Sequence, residues 1–437
     1  MERCRRCPRT RLAARLTGVA LLVAASVAEG SEPAPCFPEP VAPSSPADKT
    51  DVRLHGYLQA DGVAWDQSSE DQLAPTSGQP LNQERLLIRH GVFEIDARRG
   101  RLLGVLMVEG NTVKGPSFGL NLAEISYLLA RQPPARPDLA MLSIGLLRIP
   151  FGAEVQEYER DRLFFERSNV SRAIFPGIFD LALRLQGRWR ALVFQLAMMN
   201  GQPMGSGTMA GRDPTAAKDF SGRIGVAMGR GSRLRIDGGL SVLEGTGFHA
   251  GTPASKDVLV WHDQNEDGVV QITEIQTIPG SPATPSSTFH RFAAGCDLRV
   301  TAMLPRLGEL TAFGELVWAA NLDRGLVPAD PVAGGRDISE LGVMAGLTQA
   351  LGSHFVLGAR FDWYNADLDA SEILPVRIVP ASLILSTTAL LMAWRFTELD
   401  RVAVELDLNR NPYGVSSSGM PSNLPSDTLT VRAQLGF

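Results

Sequence analysis

The last two segments of the chain, RVAVELDLNR (residues 401–410) and TLTVRAQLGF (residues 428–437), carry the pattern that decides the fold. Apolar side chains occupy every second position from 402 to 408 and from 429 to 437. Most of the positions between them hold charged or polar residues such as Glu405, Asp407 and Arg432. A period of two is typical of β-strands, and charges on one face place that face in water. Both segments are therefore predicted to be strands with one apolar face and one face exposed to water.

The same period of two extends upstream to about residue 51. Segments around Leu183 and Phe361 repeat it, again with arginine on the polar face. Strands that cross a membrane in a tilted barrel need about 9–11 residues, which is the length of these segments. The pattern predicts about sixteen strands, at residues 51–65, 85–97, 101–110, 121–131, 138–149, 179–189, 191–200, 219–228, 232–242, 289–303, 308–320, 339–349, 354–365, 384–396, 400–409 and 427–437.

The predicted connections alternate between short and long, and the longest cover residues 150–178 and 243–288. Bacterial outer-membrane barrels have this asymmetry, with short periplasmic turns and long external loops. A soluble β-sandwich, the alternative, gives no reason to sort its loops by parity. We therefore predict an all-β fold, a transmembrane antiparallel β-barrel of about sixteen strands over residues 51–437. An even number of strands would put both termini on the periplasmic side.

The N-terminus is predicted to be a cleavable secretory signal over residues 1–28. It has a basic region at residues 3–15, a short apolar run at 16–25 and the small-residue sequence Ser26-Val27-Ala28. An uncleaved anchor is the alternative. Residues 29–50 are rich in proline and are predicted to be a periplasmic leader before the first strand.

Charge and composition exclude several classes of function. Only four of the 42 basic residues are lysine. Loss of residues 1–28 would leave 36 basic against 46 acidic residues, a formal charge of about −10. A chain this acidic is not expected to bind nucleic acid. The sequence contains no serine-hydrolase, zinc-protease or P-loop motif, and its six histidines are scattered, so no enzymatic activity is expected.

The chain ends on Phe437, after apolar residues at alternate positions, and this ending looks like the terminal strand signature of bacterial outer-membrane proteins. Residues 85–201 contain the features RIPFG (148–152), FERS (165–168), PG (176–177), NG (200–201) and GVFEIDARRGRLLGVLMVEGN (91–111). With them the chain resembles the phosphate-selective porin O/P family, from about residue 51 to residue 437 and most specifically over 85–201. The resemblance implies a sixteen-stranded barrel, commonly trimeric, with an anion-conducting lumen.

One departure from that family concerns selectivity. Its best-known members use many lysines and an arginine ladder, whereas this chain is nearly lysine-free and acidic. Phosphate selectivity is therefore not carried over, although the barrel and the pore are.

The parity of the strands predicts which charged side chains point into the lumen. Rings of charge of both signs tune the ion selectivity of a pore. The alternative is that these side chains pair with each other and brace the barrel wall. The candidate pore-lining residues are Arg184, Arg188, Arg235, Arg299, Arg360, Arg432, Asp362 and Glu405, with Asp237, Asp297 and Asp407 on the same face.

The long connection at residues 150–178 is predicted to fold into the lumen and set its narrowest point, as such loops often do in porins. The candidate constriction residues are Arg160, Arg162 and Arg167, beside several acidic residues. An external flap is the alternative.

Residues 263–274, DQNEDGVVQITE, match the calcium loop of an EF-hand in full. Oxygen ligands would come from Asp263, Asn265 and Asp267, from the carbonyl of Val269, and from Glu274 through both of its oxygens. Helices are not evident on either side, so the sequence predicts a bare Ca²⁺ loop within the external loop 243–288. A solvated acidic turn is the alternative.

These features together predict an outer-membrane porin that passes small hydrophilic solutes or ions by diffusion, with a weak preference for anions. Its partners would be membrane lipids, small solutes or anions and, in a homotrimer, two further copies of the chain. The alternative is a structural or adhesive barrel with a closed lumen and loops that bind a partner.

Overall fold

The structure, a computed structural model, describes residues 50–66, 84–113, 115–130, 140–203, 213–229, 233–374, 377–380, 383–410, 414–415, 421–422 and 426–437. The predicted signal peptide and all of the leader except Thr50 lie outside these residues. In the part of the chain that is described, no helix has the length and apolar character needed to span a membrane.

Sixteen of the described strands form one closed antiparallel barrel, in which neighbours in sequence are neighbours in space and β22 pairs with β1. The predicted fold class is confirmed. The barrel strands are β1 (Asp51–Trp65), β2 (Arg85–Arg99), β3 (Leu102–Asn111), β4 (Ser117–Ala130), β5 (Ala140–Arg148), β6 (Phe179–Trp189), β7 (Leu192–Met199), β8 (Asp219–Met228), β9 (Leu234–His249), β12 (Ser287–Leu304), β13 (Gly308–Ala320), β14 (Ser339–Leu351), β15 (Phe355–Asn365), β18 (Ile384–Arg395), β19 (Arg401–Arg410) and β22 (Thr428–Gly436).

The long connections contain structure that the period of two did not indicate. Three two-stranded sheets, two short α-helices and a 3-10 helix (Ile272–Glu274) lie there among the described residues. The sheets and α-helices are β10 (Val258–Trp261) with β11 (Ile275–Ile278), β16 (Ser371–Leu374) with β17 (Arg377–Pro380), β20 (Gly414–Val415) with β21 (Pro421–Ser422), α1 (Asn169–Ile174) and α2 (Pro331–Gly334).

The predicted external loop 243–288 begins too early in the chain. Strand β9 continues to His249, which pairs with Ser287 at the start of β12. The apolar alternation on the outer face ends at Val242, because Glu244 and Thr246 take the next places on that face, but backbone pairing continues. The connection itself therefore covers residues 250–286.

The connections sort by length largely as predicted. At one end of the barrel, β2–β3 and β6–β7 are joined by two residues each. Gly100 (φ 60°) and Arg190 (φ 56°) supply the positive φ that such tight hairpins require. We call this the short-turn end. The exception is the β3–β4 connection at the opposite end, which has only five residues, 112–116.

The outer face of the barrel is apolar. Leu86 (89% exposed), Phe118 (78%) and Ile125 (63%) project from it without cover. Soluble proteins rarely present an apolar surface of this extent, whereas a barrel in lipid requires it. The inner face carries buried polar groups such as Gln59 and Glu405. The charged and polar side chains of the barrel wall therefore point mainly into the lumen.

Candidate functional site: the segment inside the barrel

The connection between β5 and β6, residues 149–178, lies inside the barrel, and we call it the inserted segment. Phe151, Ile174 and Phe175 on this segment are almost fully buried and belong to an apolar cluster with luminal side chains, among them Tyr364. The structure thus places the predicted constriction loop in the lumen and not over the mouth as a flap. A second luminal cluster contains Phe164 and Phe165 of the segment with Val356, Ala389, Leu391, Ala393 and Ala403.

A tight turn at Pro150-Phe151-Gly152 directs the inserted segment towards β13. Gly152 has φ 58°, and a Cβ atom there would stand 2.0 Å from Glu315 Oε1, so only glycine fits. The Glu315 carboxylate on β13 accepts the backbone N–H groups of Ala153 and Glu154, both at 3.1 Å. The Gly152 N–H donates to Ser241 Oγ on β9 at 3.0 Å. Strand side chains therefore satisfy backbone groups that water would otherwise solvate.

The short helix α1 attaches the inserted segment to β15. Asp362 Oδ1 accepts the backbone N–H of Asn169 at 3.1 Å and its side-chain amide at 2.5 Å. The same amide donates to Thr387 on β18 at 3.0 Å. The Ser168 N–H donates to Glu154 at 2.8 Å, which ties the start of α1 to the turn that precedes it. The segment is thus fixed at both of its bends.

The middle of the inserted segment bonds to the wall where the barrel closes. The Phe165 N–H donates to Glu405 on β19 at 2.8 Å, and the Phe165 carbonyl accepts from Arg432 on β22 at 3.3 Å. The Arg432 guanidinium also lies 4.3 Å from the centre of the Phe165 ring. Gln434 donates to the carbonyl of Arg160 at 3.0 Å. One residue, Phe165, is therefore held through its N–H, its carbonyl and its ring.

Arg148, the last residue of β5, holds the beginning of the inserted segment. It donates to the carbonyls of Val155 (3.1 Å) and Glu157 (2.9 Å). Its guanidinium also lies 3.5 Å from the Glu159 carboxylate. Burial of Glu159 raises its pKa, but the guanidinium groups of Arg148 and Arg162 outweigh burial and hold that pKa at about 2. Glu159 is therefore ionised and its charge is compensated.

These contacts carry the inserted segment across the lumen. It leaves β5 and bonds to β15, which stands eight strands away in a barrel of sixteen and so on the opposite wall. Further bonds to β9, β13, β19 and β22 fix it on both sides of that line. The segment therefore divides the lumen.

Most of the predicted pore-lining arginines are paired in the structure. Arg184 lies 2.9 Å from Glu124, and Arg432 lies 2.7 Å from Asp61. Arg299 lies 2.9 Å from Glu157 of the inserted segment. These arginines therefore brace the wall and the segment, which was the alternative considered for them.

Arg360 faces the inserted segment from β15. It donates to the Glu166 carbonyl at 2.7 Å and lies 3.7 Å from both Glu154 and Asp362. It is 4% exposed, so its charge is shielded from solvent.

Two of the predicted pore-lining arginines lie at the short-turn end. Arg188 donates to the carbonyls of Arg190 and Ala227, both at 3.1 Å, and so braces two turns. Arg235 lies 3.2 Å from Asp237, and both side chains are about one-third exposed. The structure brings these two arginines to the rim and not to the narrow part of the lumen.

The three predicted constriction residues have different surroundings. Arg162 is buried between Glu157 (3.9 Å) and Glu159 (3.8 Å). Arg167 donates to the carbonyls of residues 171 (3.3 Å) and 175 (2.6 Å) and braces α1. Arg160 lies 3.7 Å from Asp161 and keeps 26% of its side chain accessible.

Sequence reasoning missed Arg89 and His90 as luminal groups. A bulge between β1 and β2 pairs Gln59 with His90 and then skips Arg89, so both side chains face inward despite being consecutive. Arg89 lies 2.6 Å from Glu166 of the inserted segment, with both side chains partly exposed. A strict period of two cannot place two consecutive residues on the inner face. The available signal for the bulge was the charged pair Arg89-His90 within a strand.

The EF-hand-like sequence lies in the hairpin β10–β11, within the connection 250–286. The Asp263 carboxylate accepts the N–H groups of Asp267 (3.2 Å) and Gly268 (2.8 Å), which folds it over the turn. Glu274 is buried and reaches back to the N–H of Gln264 at 3.3 Å. Asn265 donates to Asp267 at 3.0 Å. Asp263, Asn265 and Asp267 thus share one turn, flanked by strands where an EF-hand has helices, whereas the two Glu274 oxygens accept from the Gln264 N–H and from the Trp261 indole (3.1 Å). Carboxylate, amide and carbonyl oxygens are the donors that Ca²⁺ takes.

The comparisons with known proteins show the fold. No family model matches the chain, and no curated protein matches it. Among solved structures, the outer membrane channel DcaP of Acinetobacter baumannii aligns with a TM-score of 0.55 at 11% identity, over 90% of this chain and 99% of that one. An anion-selective porin from Comamonas acidovorans aligns at 0.51 and 10%, over 89% and 100%. OmpT, an outer membrane protein of Vibrio cholerae in trimer form, gives the same four values. The likeness is one of architecture: a closed barrel of the outer-membrane type.

Proposed function

We propose that this chain is a passive diffusion channel of the bacterial outer membrane for small hydrophilic solutes or ions. The observation that carries the proposal is the set of partly exposed charges between the inserted segment and the wall: Glu166 and Arg160 on the segment and Arg89 on β2 are 24–37% accessible. Groups of this kind border water and not a packed core. The apolar outer face supports the same function. So does the similarity of the fold to an outer membrane channel and to an anion-selective porin.

A second candidate function is a barrel with a closed lumen whose external loops bind a partner. The two apolar clusters inside the barrel favour it, because they fill part of the lumen with side chains that exclude water. Ion current separates the two candidates. A closed barrel carries none in its folded state, whereas a channel conducts steadily.

We expect the channel to prefer anions only weakly. Arg184, Arg299 and Arg432 lie within 2.9 Å of carboxylates, so much of the luminal positive charge is compensated. Across a tenfold KCl gradient in a planar bilayer, the reversal potential should have the anion sign and stay far below the roughly 59 mV of perfect selectivity. Micromolar phosphate should leave the chloride current unchanged. Block at that concentration would instead support a phosphate-selective porin of the O/P family.

The location and assembly follow from the same proposal. An exported chain with an apolar barrel face would be inserted in the outer membrane, with lipids as its immediate partners. We infer a homotrimer, consistent with the resemblance of residues 85–201 to the phosphate-selective porin O/P family and with the trimer form of OmpT, whose fold is similar. A diffusion channel performs no chemical step, so we expect no enzymatic activity.

We also propose that the hairpin β10–β11 binds Ca²⁺ through Asp263, Asn265, Asp267, Glu274 and the carbonyl of Val269. Three of these residues carry carboxylates, and hydrogen bonds within the turn hold Asp263, Asn265 and Asp267 together. Without flanking helices, the affinity should be that of extracellular calcium modules, with Kd of about 10⁻⁴–10⁻³ M. The ion would order the hairpin and leave the barrel, which closes through its own strands, unaffected.

The calcium proposal predicts a local change in protease sensitivity. Chelation should accelerate cleavage within residues 250–286 of the wild type, and Glu274→Gln should be cleaved rapidly with or without calcium. The barrel should stay resistant throughout. Glu266→Gln is the matched control, because position 4 of the loop supplies no ligand. Equal cleavage rates in all samples would mean that the motif is a solvated acidic turn.

A further inference from the structure

Three luminal side chains near the short-turn end have the arrangement of a metal site: His55 on β1, and Glu94 and Asp96 on β2. His55 stands directly across from Glu94 in the strand register, and Asp96 is the next residue of β2 on the same face. His55 Nε2 lies 3.4 Å from Glu94 Oε1 and 3.8 Å from Asp96 Oδ2. One potential ligand atom from each residue lies within 4.8 Å of the other two. Ligands that share an ion at about 2.0–2.2 Å are themselves roughly 3–3.6 Å apart, so small side-chain movements suffice.

The three side chains do not satisfy one another. Both contacts of His55 are longer than a normal N–H···O hydrogen bond of about 2.7–3.2 Å. Asp96 Oδ1 is shielded from solvent and has no hydrogen-bond partner among the described residues. A water molecule or a bound ion can satisfy such an atom. By contrast, His90, which also faces the lumen, makes a direct contact of 2.8 Å with Glu109.

The chemistry of the group selects the kind of ion. One imidazole nitrogen with two carboxylates suits a first-row divalent metal such as Zn²⁺ better than Ca²⁺ or Mg²⁺, which favour oxygen ligands alone. The side chains of His55 (27%) and Asp96 (39%) are accessible from the lumen, so water can complete the coordination and the ion can exchange. The nearby cations are Arg160 of the inserted segment and Arg53, which lies 3.4 Å from Asp51. Two carboxylates outweigh the former and keep the group attractive to a divalent cation.

We propose that His55, Glu94 and Asp96 bind a divalent transition-metal ion of the Zn²⁺ type on the luminal wall, close to the short-turn end. The proposal goes beyond passive diffusion, because it gives one face of the lumen a specific ligand. It rests on the closed barrel alone and holds whether or not the lumen conducts.

The test is a Zn²⁺ titration by calorimetry of the folded barrel in detergent, with millimolar Ca²⁺ present to occupy the calcium loop. The wild type should show one saturable site. His55→Ala should weaken it at least about tenfold, since even the loss of a group that only supports a metal ligand costs 10–100-fold. Asp96→Asn should also weaken it, and His90→Ala, which removes a luminal histidine of another pair, should leave it intact. Heat-modifiable migration on gels verifies that each variant is folded.

The outcomes are distinct. Wild-type binding that His55→Ala leaves unchanged would overturn the proposal, as would the absence of saturable binding to the folded wild type. Loss of the site in His90→Ala but not in His55→Ala would move it to the other histidine and equally refute this assignment. None of these results depends on ion conduction.

Discussion

Replacing residues 153–174 with a short glycine–serine linker is expected to raise the single-channel conductance several-fold. These residues carry the contacts to β13, β15, β19 and β22 that take the inserted segment across the lumen. Without them the cross-section available to ions approaches that of the bare barrel. The barrel itself should still close, because its strands pair through their own backbone groups. Planar-bilayer recordings of the purified variant measure the change.

The matched control shortens a connection that lies outside the lumen. Replacing residues 253–283 with a similar linker joins Thr252 to Thr284, which already contact each other at 2.8 Å. Conductance should then stay close to the wild-type value. If the folded variant lacking residues 153–174 conducts like the wild type, the inserted segment does not limit the pore.

Asp61→Ala is expected to destabilise the barrel by about 3–5 kcal/mol, the cost of leaving one charge of a buried pair without its partner. Asp61 on β1 and Arg432 on β22 face each other across the strands that close the barrel. Their oxygens and nitrogens meet at 2.7 Å in a two-point contact, and both side chains are 4% exposed. The free energy of unfolding in urea, measured in detergent or lipid, reports the loss.

Asp237→Ala provides the comparison for the buried pair Asp61–Arg432. The pair Arg235–Asp237 has similar chemistry at 3.2 Å, but its side chains are 30% and 39% exposed. Exposed pairs contribute about 0–1 kcal/mol, so this variant should differ little from the wild type. If the free energy of unfolding fell by similar amounts in the two variants, water in the lumen would solvate Asp61 as well as water at the rim solvates Asp237.

The barrel could be predicted from the sequence because lipid imposes one rule on every strand. Each must present apolar side chains outward at every second position, as Val402, Val404 and Leu406 do on β19. That rule also fixes which residues point inward, and Arg184, Arg360 and Arg432 are all luminal in the structure. It fails where the constraint is absent, as in the part of β9 beyond Leu243 and at the bulge that turns Arg89 inward.

What the luminal side chains contact could not be predicted in the same way. The hydrogen bond that the Ala153 N–H donates to Glu315 joins positions 162 residues apart, and no local pattern encodes it. The partners of the arginines depend on the path of the inserted segment, which follows from packing of Phe151 and Phe165 and not from periodicity. The EF-hand-like sequence at residues 263–274 is the opposite case: its residues are contiguous, so the motif could be recognised before its fold was known.

The most direct test of the channel proposal is solute flux through the wild-type barrel reconstituted in vesicles. Swelling in isotonic solutions of small neutral sugars should be faster than in protein-free vesicles and should slow steadily as the sugar grows. That size dependence is expected of a water-filled route beside the inserted segment. Vesicles that contain correctly folded barrel, yet swell no faster than protein-free vesicles for any sugar, would contradict the account and leave the closed-lumen barrel.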